Sequence, residues 1–325
     1  MHIGLSVYGT TFSMGIAQAP GLTRPTITPY QLIERAQAMA LDGVEVPLAL
    51  LQGQDLKGVR RTAEERGLFI VLDTSGYDAR RLSEAIEIAG QLGARTIRTM
   101  IGGAKIGGDR RPLAGRWRQF LAEVLAQLRI AAASAGRAGV NLAVENHQDL
   151  ASEELLEFCA ALDSPHFGIT LDTGNPLATA EEPLEFARRI APYLKHVHLK
   201  DYRIYPSKEG YRLARCALGE GVIDFPALFN LFFKELALDI TMVIELGALE
   251  ARHIRVLADD YWPDYPPRTA AQLAHTLRFV VEHAQTTGDW RTPFERQEPE
   301  EHIIAYEEQQ LSASLAYMQA LRARF

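Results

Sequence analysis

Short runs of β-branched and apolar residues alternate along the chain with longer segments whose apolar positions recur every three or four residues. The first pattern fits strands and the second amphipathic helices, so the alternation predicts repeated βα units around a parallel sheet. Strands are expected near 2–7, 43–46, 68–72, 95–101, 140–145, 167–172, 195–199 and 240–244. Helices are expected at 29–40, 78–92, 112–138, 151–162, 182–191, 225–236 and 269–285. Gly43, Gly67 and Gly139 each precede a strand, where a helix end calls for a residue that accepts positive φ without a Cβ clash. Eight such units predict a (β/α)8 TIM barrel. The competing arrangement, an open doubly wound sheet, usually carries a GxGxxG turn after its first strand, and no such turn follows residue 7.

The working face of a barrel lies at the C-terminal ends of its strands. Three segments expected on that face are long. Residues 102–108 are glycine-rich and read equally as a lid, an anion cradle or a surface turn, without Walker spacing. Residues 202–221 are read as a loop carrying Tyr202, Tyr205, Tyr211 and arginines. Residues 246–267 end in Tyr261-Trp262-Pro263-Asp264-Tyr265-Pro266-Pro267, which suits a stiff aromatic wall over an active site. Beyond Pro293 an acidic stretch leads into an amphipathic segment from about Glu300 to Arg324, with Ile303, Ile304, Leu311, Leu315, Met318 and Leu321. It predicts an additional C-terminal helix, packed across the barrel bottom or on another subunit. The expected division is a catalytic barrel over 1–290 and a helical extension over 291–325, in a homo-oligomer (dimer or tetramer).

Composition narrows the function. Of 325 residues 47% are hydrophobic and 23% charged, the balance of an ordinary globular protein. Asp plus Glu number 41 against 34 Lys plus Arg, a formal charge of -7 that gives no general attraction to nucleic acid or an anionic membrane. No apolar run reaches the ~18 residues of a spanning helix. Residues 1–8 lack the marks of a signal peptide, and Cys159 and Cys216 are the only cysteines, so the cytoplasm is the expected location. Cys216 is read as a small buried hydrophobe rather than a nucleophile.

Four acidic or imidazole side chains fall at predicted strand ends: Glu145, Asp172, His198 and Glu245. Three carboxylates gathered at one barrel mouth repel one another unless a cation neutralises them. Singly, each could pair with an arginine; together they predict a site for one divalent metal ion. Oxygen-rich ligation with one imidazole suits Mn2+, the expected ion, or Mg2+ or Co2+, with Zn2+ an alternative.

These residues lie in stretches that resemble successive motifs of the xylose isomerase-like TIM-barrel superfamily. The stretches are Leu41-Asp42-Gly43-Val44-Glu45, Ala143-Val144-Glu145-Asn146-His147, Leu171-Asp172-Thr173-Gly174-Asn175, His196-Val197-His198-Leu199-Lys200-Asp201, Leu218-Gly219-Glu220-Gly221-Val222-Ile223-Asp224 and Val243-Ile244-Glu245. The superfamily includes sugar phosphate isomerases and epimerases, inosose isomerases and dehydratases, ketose 3-epimerases and endonuclease IV, and the resemblance covers about residues 1–285. It implies that Glu145, Asp172, His198 and Glu245 hold one metal, with Glu145 and Glu245 as the catalytic acid/base pair on either side of the substrate carbons. The chain also departs from the pattern. Asn175 stands where many relatives have a histidine, and Ala151 and Ile204 stand where ketose 3-epimerases have a glutamate and an arginine. The further histidines of endonuclease IV are missing at matching positions, which argues against DNA repair.

His147, Asn175, Lys200 and Glu45 are the expected substrate-binding residues. His147 could hydrogen-bond a hydroxyl, shuttle a proton or orient Glu145. Lys200 could bind an enolate or carboxylate or pair with Asp201, and Glu45 could line the mouth or be a paired carboxylate. His196 is expected to support the site or pack in the barrel. The expected activity is a metal-dependent isomerase or epimerase on a keto-sugar, keto-polyol or sugar acid, acting through an enediolate. A lyase on the same chemistry (dehydratase, decarboxylase or eliminase of 3-keto-glycosides or C-glycosides) is the alternative, and a non-catalytic sugar-binding subunit a third reading.

Overall fold

The computed structural model describes residues 1–18, 24–247 and 249–325. Seven parallel strands follow one another: β1 (His2–Ser6), β2 (Gly43–Pro47), β3 (Phe69–Ser75), β4 (Thr96–Met100), β5 (Asn141–Glu145), β6 (Phe167–Asp172) and β7 (Leu194–Leu199). An antiparallel hairpin, β8 (Asp201–Ser207) and β9 (Gly210–Cys216), interrupts the series before β10 (Thr241–Ile244). β10 pairs with β7 on one side and β1 on the other and closes the ring as β1-β10-β7-β6-β5-β4-β3-β2. The expected (β/α)8 barrel is the fold.

Helices α1 (Pro29–Ala38), α2 (Leu56–Glu65), α3 (Ala79–Leu92), α4 (Trp117–Ala138), α5 (Ser152–Leu162), α6 (Pro183–Ile190) and α7 (Phe225–Phe229) follow successive strands. Local chemistry sets their ends. Thr28 and Gln31 form a reciprocal capping box ahead of Pro29, and the Asp78 side chain accepts from the Arg81 N–H. The sequence pattern passes over α2, whose only buried residues are Gly58, Val59 and Ala63 among many charges. α7 continues as a π-helical turn, Asn230–Glu235. Gly67 and Gly139 take the expected left-handed conformation, at φ 67° and 66°. Gly43 does not: it is the first residue of β2, and the left-handed position before it falls to Ala40. What Gly43 supplies is room, since a Cβ there would lie 2.3 Å from the Phe69 ring of the neighbouring strand.

The segment 202–221 is not the loop its aromatic content suggests. Its hairpin gains a third strand, β11 (Arg252–Ile254), from within 246–267, and α8 (Ala270–His283) packs on this sheet. Tyr202, Ile204, Tyr211, Leu213, Ile254, Tyr261, Tyr265 and Val280 form a separate apolar cluster there. It is rooted on the turn after β6, where the Tyr211 and Tyr261 hydroxyls donate to the Leu177 and Ala178 carbonyls at 2.5 and 2.6 Å.

The C-terminal helix is present as α9 (Glu300–Arg322), and it runs down the flank of the barrel. Leu311, Met318 and Leu321 enter the main core. Glu308 pairs with Arg35 of α1, Tyr317 meets the Phe225 ring of α7, and Arg322 pairs with Asp42 just before β2. Among the described residues no helix is long and apolar enough to cross a membrane.

Candidate active site

The ring register brings the four candidate ligands to one level. Asp172 pairs with His198 across β6 and β7, and Val243 pairs with His198 across β10 and β7, two residues before Glu245. One donor atom from each of Glu145, Asp172, His198 and Glu245 lies within 4.8 Å of all the others, and all four residues are buried. Asn146 locks two of the strands: its Oδ1 accepts from the Asp172 N–H at 2.7 Å and its Nδ2 donates to the Asp172 carbonyl at 3.1 Å.

Charges already stand among the carboxylates. Arg98 of β4 contacts both Glu145 and Asp73. Lys200 donates to Asp172 and, at 2.9 Å, to Glu245 Oε1. His198 turns Nδ1 toward Glu245 Oε2 at 2.5 Å and Glu145 Oε1 at 3.8 Å. Its Nε2 meets Glu45 Oε2 at 2.8 Å. Burial alone would lower the His198 pKa, yet Glu45, Glu245 and Glu145 hold it well above the ordinary range. Burial alone would raise Glu45, but His198 and His196 hold it low. Lys200 is likewise held up by Asp172 and Glu245 against its burial. Burial pushes Asp73 up to about 7 despite Arg98.

A divalent cation fits this donor set. Glu145 Oε1 is buried without a hydrogen-bond partner among the described residues, and His198 Nδ1 turns toward both it and Glu245 Oε2, so the donor atoms crowd one point as atoms facing a shared cation would. A carboxylate on the far ring nitrogen is the usual support of a metal-binding imidazole, and Glu45 stands there for His198. Glu45 therefore lies behind His198, fully buried. His196 stands beside it, with Nδ1 at 2.8 Å from Thr241 Oγ1 and Nε2 at 3.3 Å from Glu45, and burial pushes it toward the neutral form.

The mouth opens into a cleft of about 730 Å³ lined by residues that include Tyr8, Leu48, Asp73, Arg98, Met100, His147, Arg215, Glu245 and Arg252. Of the four ligand candidates, Glu245 is the one in this lining. Burial, then Arg98 and Lys200, push His147 down to about 3, so its imidazole is neutral at pH 7. Asn175 is buried at the turn after β6, accepting at Oδ1 from Gln148 at 3.0 Å, while its Nδ2 has no partner among the described residues. Asp201 is not the partner of Lys200; it accepts backbone N–H groups from Tyr202, Gly219, Gly221 and Ile223 and so fixes the 218–224 motif. Cys216 and Cys159 are buried free thiols with pKa values raised by burial, inert in that setting.

The glycine-rich segment 102–108 is pinned to its neighbours. Gly107 donates to Gln148 Oε1 at 2.8 Å, and the Gly108 carbonyl accepts from the Tyr265 hydroxyl at 2.5 Å. Arg98, Asp73, Arg215 and Arg252 were not singled out by sequence. Asp73 carried the same signal as Glu145, an acid at the end of an apolar strand. Arg98 carried another, a cation inside a short buried strand.

Fold and site together define a (β/α)8 barrel with an acidic, imidazole-bearing centre at its C-terminal mouth. Residues 33–247 match the description of the xylose isomerase-like TIM barrel, and the chain belongs to that family. It is similar to the 3-oxo-isoapionate decarboxylase of Pectobacterium atrosepticum, with 29% identity over 180 residues, 55% of this chain and 62% of that protein. It is also similar to the uncharacterised protein YihM of Escherichia coli, with 25% identity over 190 residues, 58% of this chain and 55% of that protein. The matches thus span less than two thirds of either relative. Among solved structures, the D-allulose 3-epimerase of Methylomonas sp. in complex with D-allulose superposes with a TM-score of 0.60 at 17% identity, covering 98% of this chain and 96% of that one. The 3-keto-D-glucoside 4-epimerase of E. coli does so with a TM-score of 0.57 at 18% identity, covering 87% and 99%. Likenesses at these identities speak for the fold.

Proposed function

We propose that this protein is a divalent-metal-dependent isomerase or epimerase that acts on a small keto-sugar, keto-polyol or sugar acid through an enediolate, with Glu145 and Glu245 as the acid/base pair. The observation that carries the reading is the convergence of Glu145, Asp172, His198 and Glu245, with donor atoms within 4.8 Å, beneath a cleft large enough for a sugar. A divalent ion held by these four residues, Mn2+ first and Mg2+, Co2+ or Zn2+ next, supplies Lewis-acid stabilisation of the charge that develops on a carbonyl oxygen when the neighbouring C–H is deprotonated.

The protein's own groups do the rest. Glu245 reaches the cleft from the end of β10 and Glu145 comes from β5, with two strands between them around the ring, so the carboxylates can approach a substrate carbon from different sides. Lys200 holds Glu245 in place through Oε1, and Arg98 does the same for Glu145. Neutral His147 offers one N–H and one lone pair to a hydroxyl. The reading gives Asn175 Nδ2 a hydroxyl to bind, and gives Glu45 the task of fixing the His198 ring rather than touching substrate.

A second reading, a lyase on the same chemistry, is favoured by the decarboxylase relative. Elemental mass spectrometry of the reloaded protein, beside Glu145→Gln and Asp172→Ala, should find about one divalent ion per chain, lost in both variants. A keto-sugar screen in deuterated water then separates the readings. Deuterium uptake without loss of mass elsewhere marks the isomerase or epimerase, and release of water or carbon dioxide marks the lyase. No ion in any form, even after reloading, would overturn both and leave a sugar-binding role.

A further inference from the structure

The hairpin sheet puts two arginines into the same cleft as Glu245. Arg252 of β11 pairs with Leu213 of β9, and Arg215 lies two residues along β9 on the same face, so the two guanidiniums are diagonal neighbours. Both are buried, at 9% and 3% exposure for Arg215 and Arg252. Each keeps an Nε–H with no partner among the described residues. Their remaining contacts are weakly neutralising: Arg215 donates to the Gly247 carbonyl at 2.6 Å, Arg252 lies 3.4 Å from the half-exposed Glu250, and both reach the Tyr202 hydroxyl. Among the described residues no carboxylate lies within 4 Å of Arg215, and residues 19–23 and 248 bring no acidic side chain.

Two like charges side by side in a buried wall are costly without an anion between them. Glu245, which shares the cleft lining, is already matched by Lys200 and His198. The buried carboxylates of Glu45, Asp73, Glu145, Asp172 and Glu245 are taken up by His196, His198, Arg98 and Lys200. None of these carboxylates pairs with Arg215 or Arg252, whose one acidic neighbour within 4 Å among the described residues is the half-exposed Glu250 beside Arg252, so the Arg215 guanidinium stands buried without a counter-anion. We infer that Arg215 and Arg252 form an anion subsite for a carboxylate on the substrate, so that the substrate is a keto-sugar acid rather than a neutral ketose. The inference rests on the proposed function, and it narrows the substrate class of that same site. Paired guanidiniums with free N–H groups suit a planar carboxylate.

The test is calorimetric titration of the Mn2+-loaded protein with three probes: 5-keto-D-gluconate, D-fructose and D-fructose 6-phosphate. The keto acid should bind about tenfold or more tighter than the neutral ketose, an advantage expected of charge-assisted hydrogen bonds. In Arg252→Gln that ratio should fall to within about twofold, and Arg252→Lys, which keeps the charge and the fold, should recover part of it. The same titrations in metal-free protein keep the two ideas apart, because the acid preference belongs to the arginines and should survive loss of the ion. Equal affinities for acid and ketose, no binding of the acid, or a preference that persists in Arg252→Gln would overturn the subsite. Tighter binding of the phosphate than of the keto acid would overturn the carboxylate assignment.

Discussion

Arg110 and Glu154 meet in a buried two-pronged ion pair, with guanidinium nitrogens at 2.9 and 2.6 Å from the carboxylate oxygens. The guanidinium lies between the Trp117 and Tyr265 rings, 4.0 and 3.7 Å from their centres. Glu154 also accepts from Trp117 Nε1 at 2.8 Å and from the Ala151 N–H at 2.8 Å. One pair thereby joins the stretch after the glycine-rich segment, the starts of α4 and α5 and the aromatic segment. Arg110→Met leaves the carboxylate buried without its cation and should cost about 3–5 kcal/mol in urea unfolding. Arg110→Met combined with Glu154→Gln should cost less than the sum of the two single changes.

Lys200 is the ammonium that holds Asp172 and Glu245 together. Lys200→Met should lower stability by about 3–5 kcal/mol in the presence of a chelator, because two buried carboxylates lose their cation. Saturating Mn2+ should return part of that loss by binding the folded state. The difference in Tm between chelated and Mn2+-loaded protein should therefore be larger in the variant than in the wild type, and equal differences would count against the site.

Asp149 is buried with neither carboxyl oxygen partnered among the described residues, and burial raises its pKa well above the ordinary value. A raised folded-state pKa gives stability that is fully present below the unfolded value, near 4, and is lost as pH rises toward the folded value. Asp149→Asn removes that loss. Its stability measured from pH 4 to 8 should fall less steeply than the wild type's, and it should be the more stable protein at neutral pH.

Gly221 packs against Asp201, where a Cβ would stand 2.2 Å from Oδ1 and 2.4 Å from the Tyr202 carbonyl. Gly221→Ala must push the 218–224 motif off the carboxylate that gathers its amides. The expected cost is about 1–3 kcal/mol, read as a lower urea midpoint with an unchanged slope.

The barrel was legible because each strand is a short apolar run closed by a polar residue, as Val140–Glu145 and Phe167–Asp172 illustrate. The hairpin was not, although Tyr202–Ser207 and Gly210–Cys216 alternate apolar and polar residues around a Lys208-Glu209 turn. A pattern already satisfied by eight parallel strands gives no reason to seek an antiparallel sheet inside one connection. The four candidate ligands could be picked out because their strand ends share a level. Their cations could not, since whether Arg98 or Lys200 faces inward depends on strand tilt and ring register. Glu45 shows the same limit: its place at a strand end was readable, its position behind His198 was not.

Glu307 of α9 accepts the Phe12 and Ser13 N–H groups at 2.9 and 3.0 Å, across 295 residues of sequence. β1 likewise finds its second neighbour only in β10. While the chain is being synthesised, β1 therefore waits with one edge unpaired and its following loop unanchored. The barrel's first strand is among the last to be secured. Until β10 leaves the ribosome, that open edge is a surface on which a nascent chain is exposed to mispairing, and barrel closure is a slow, long-range event of folding.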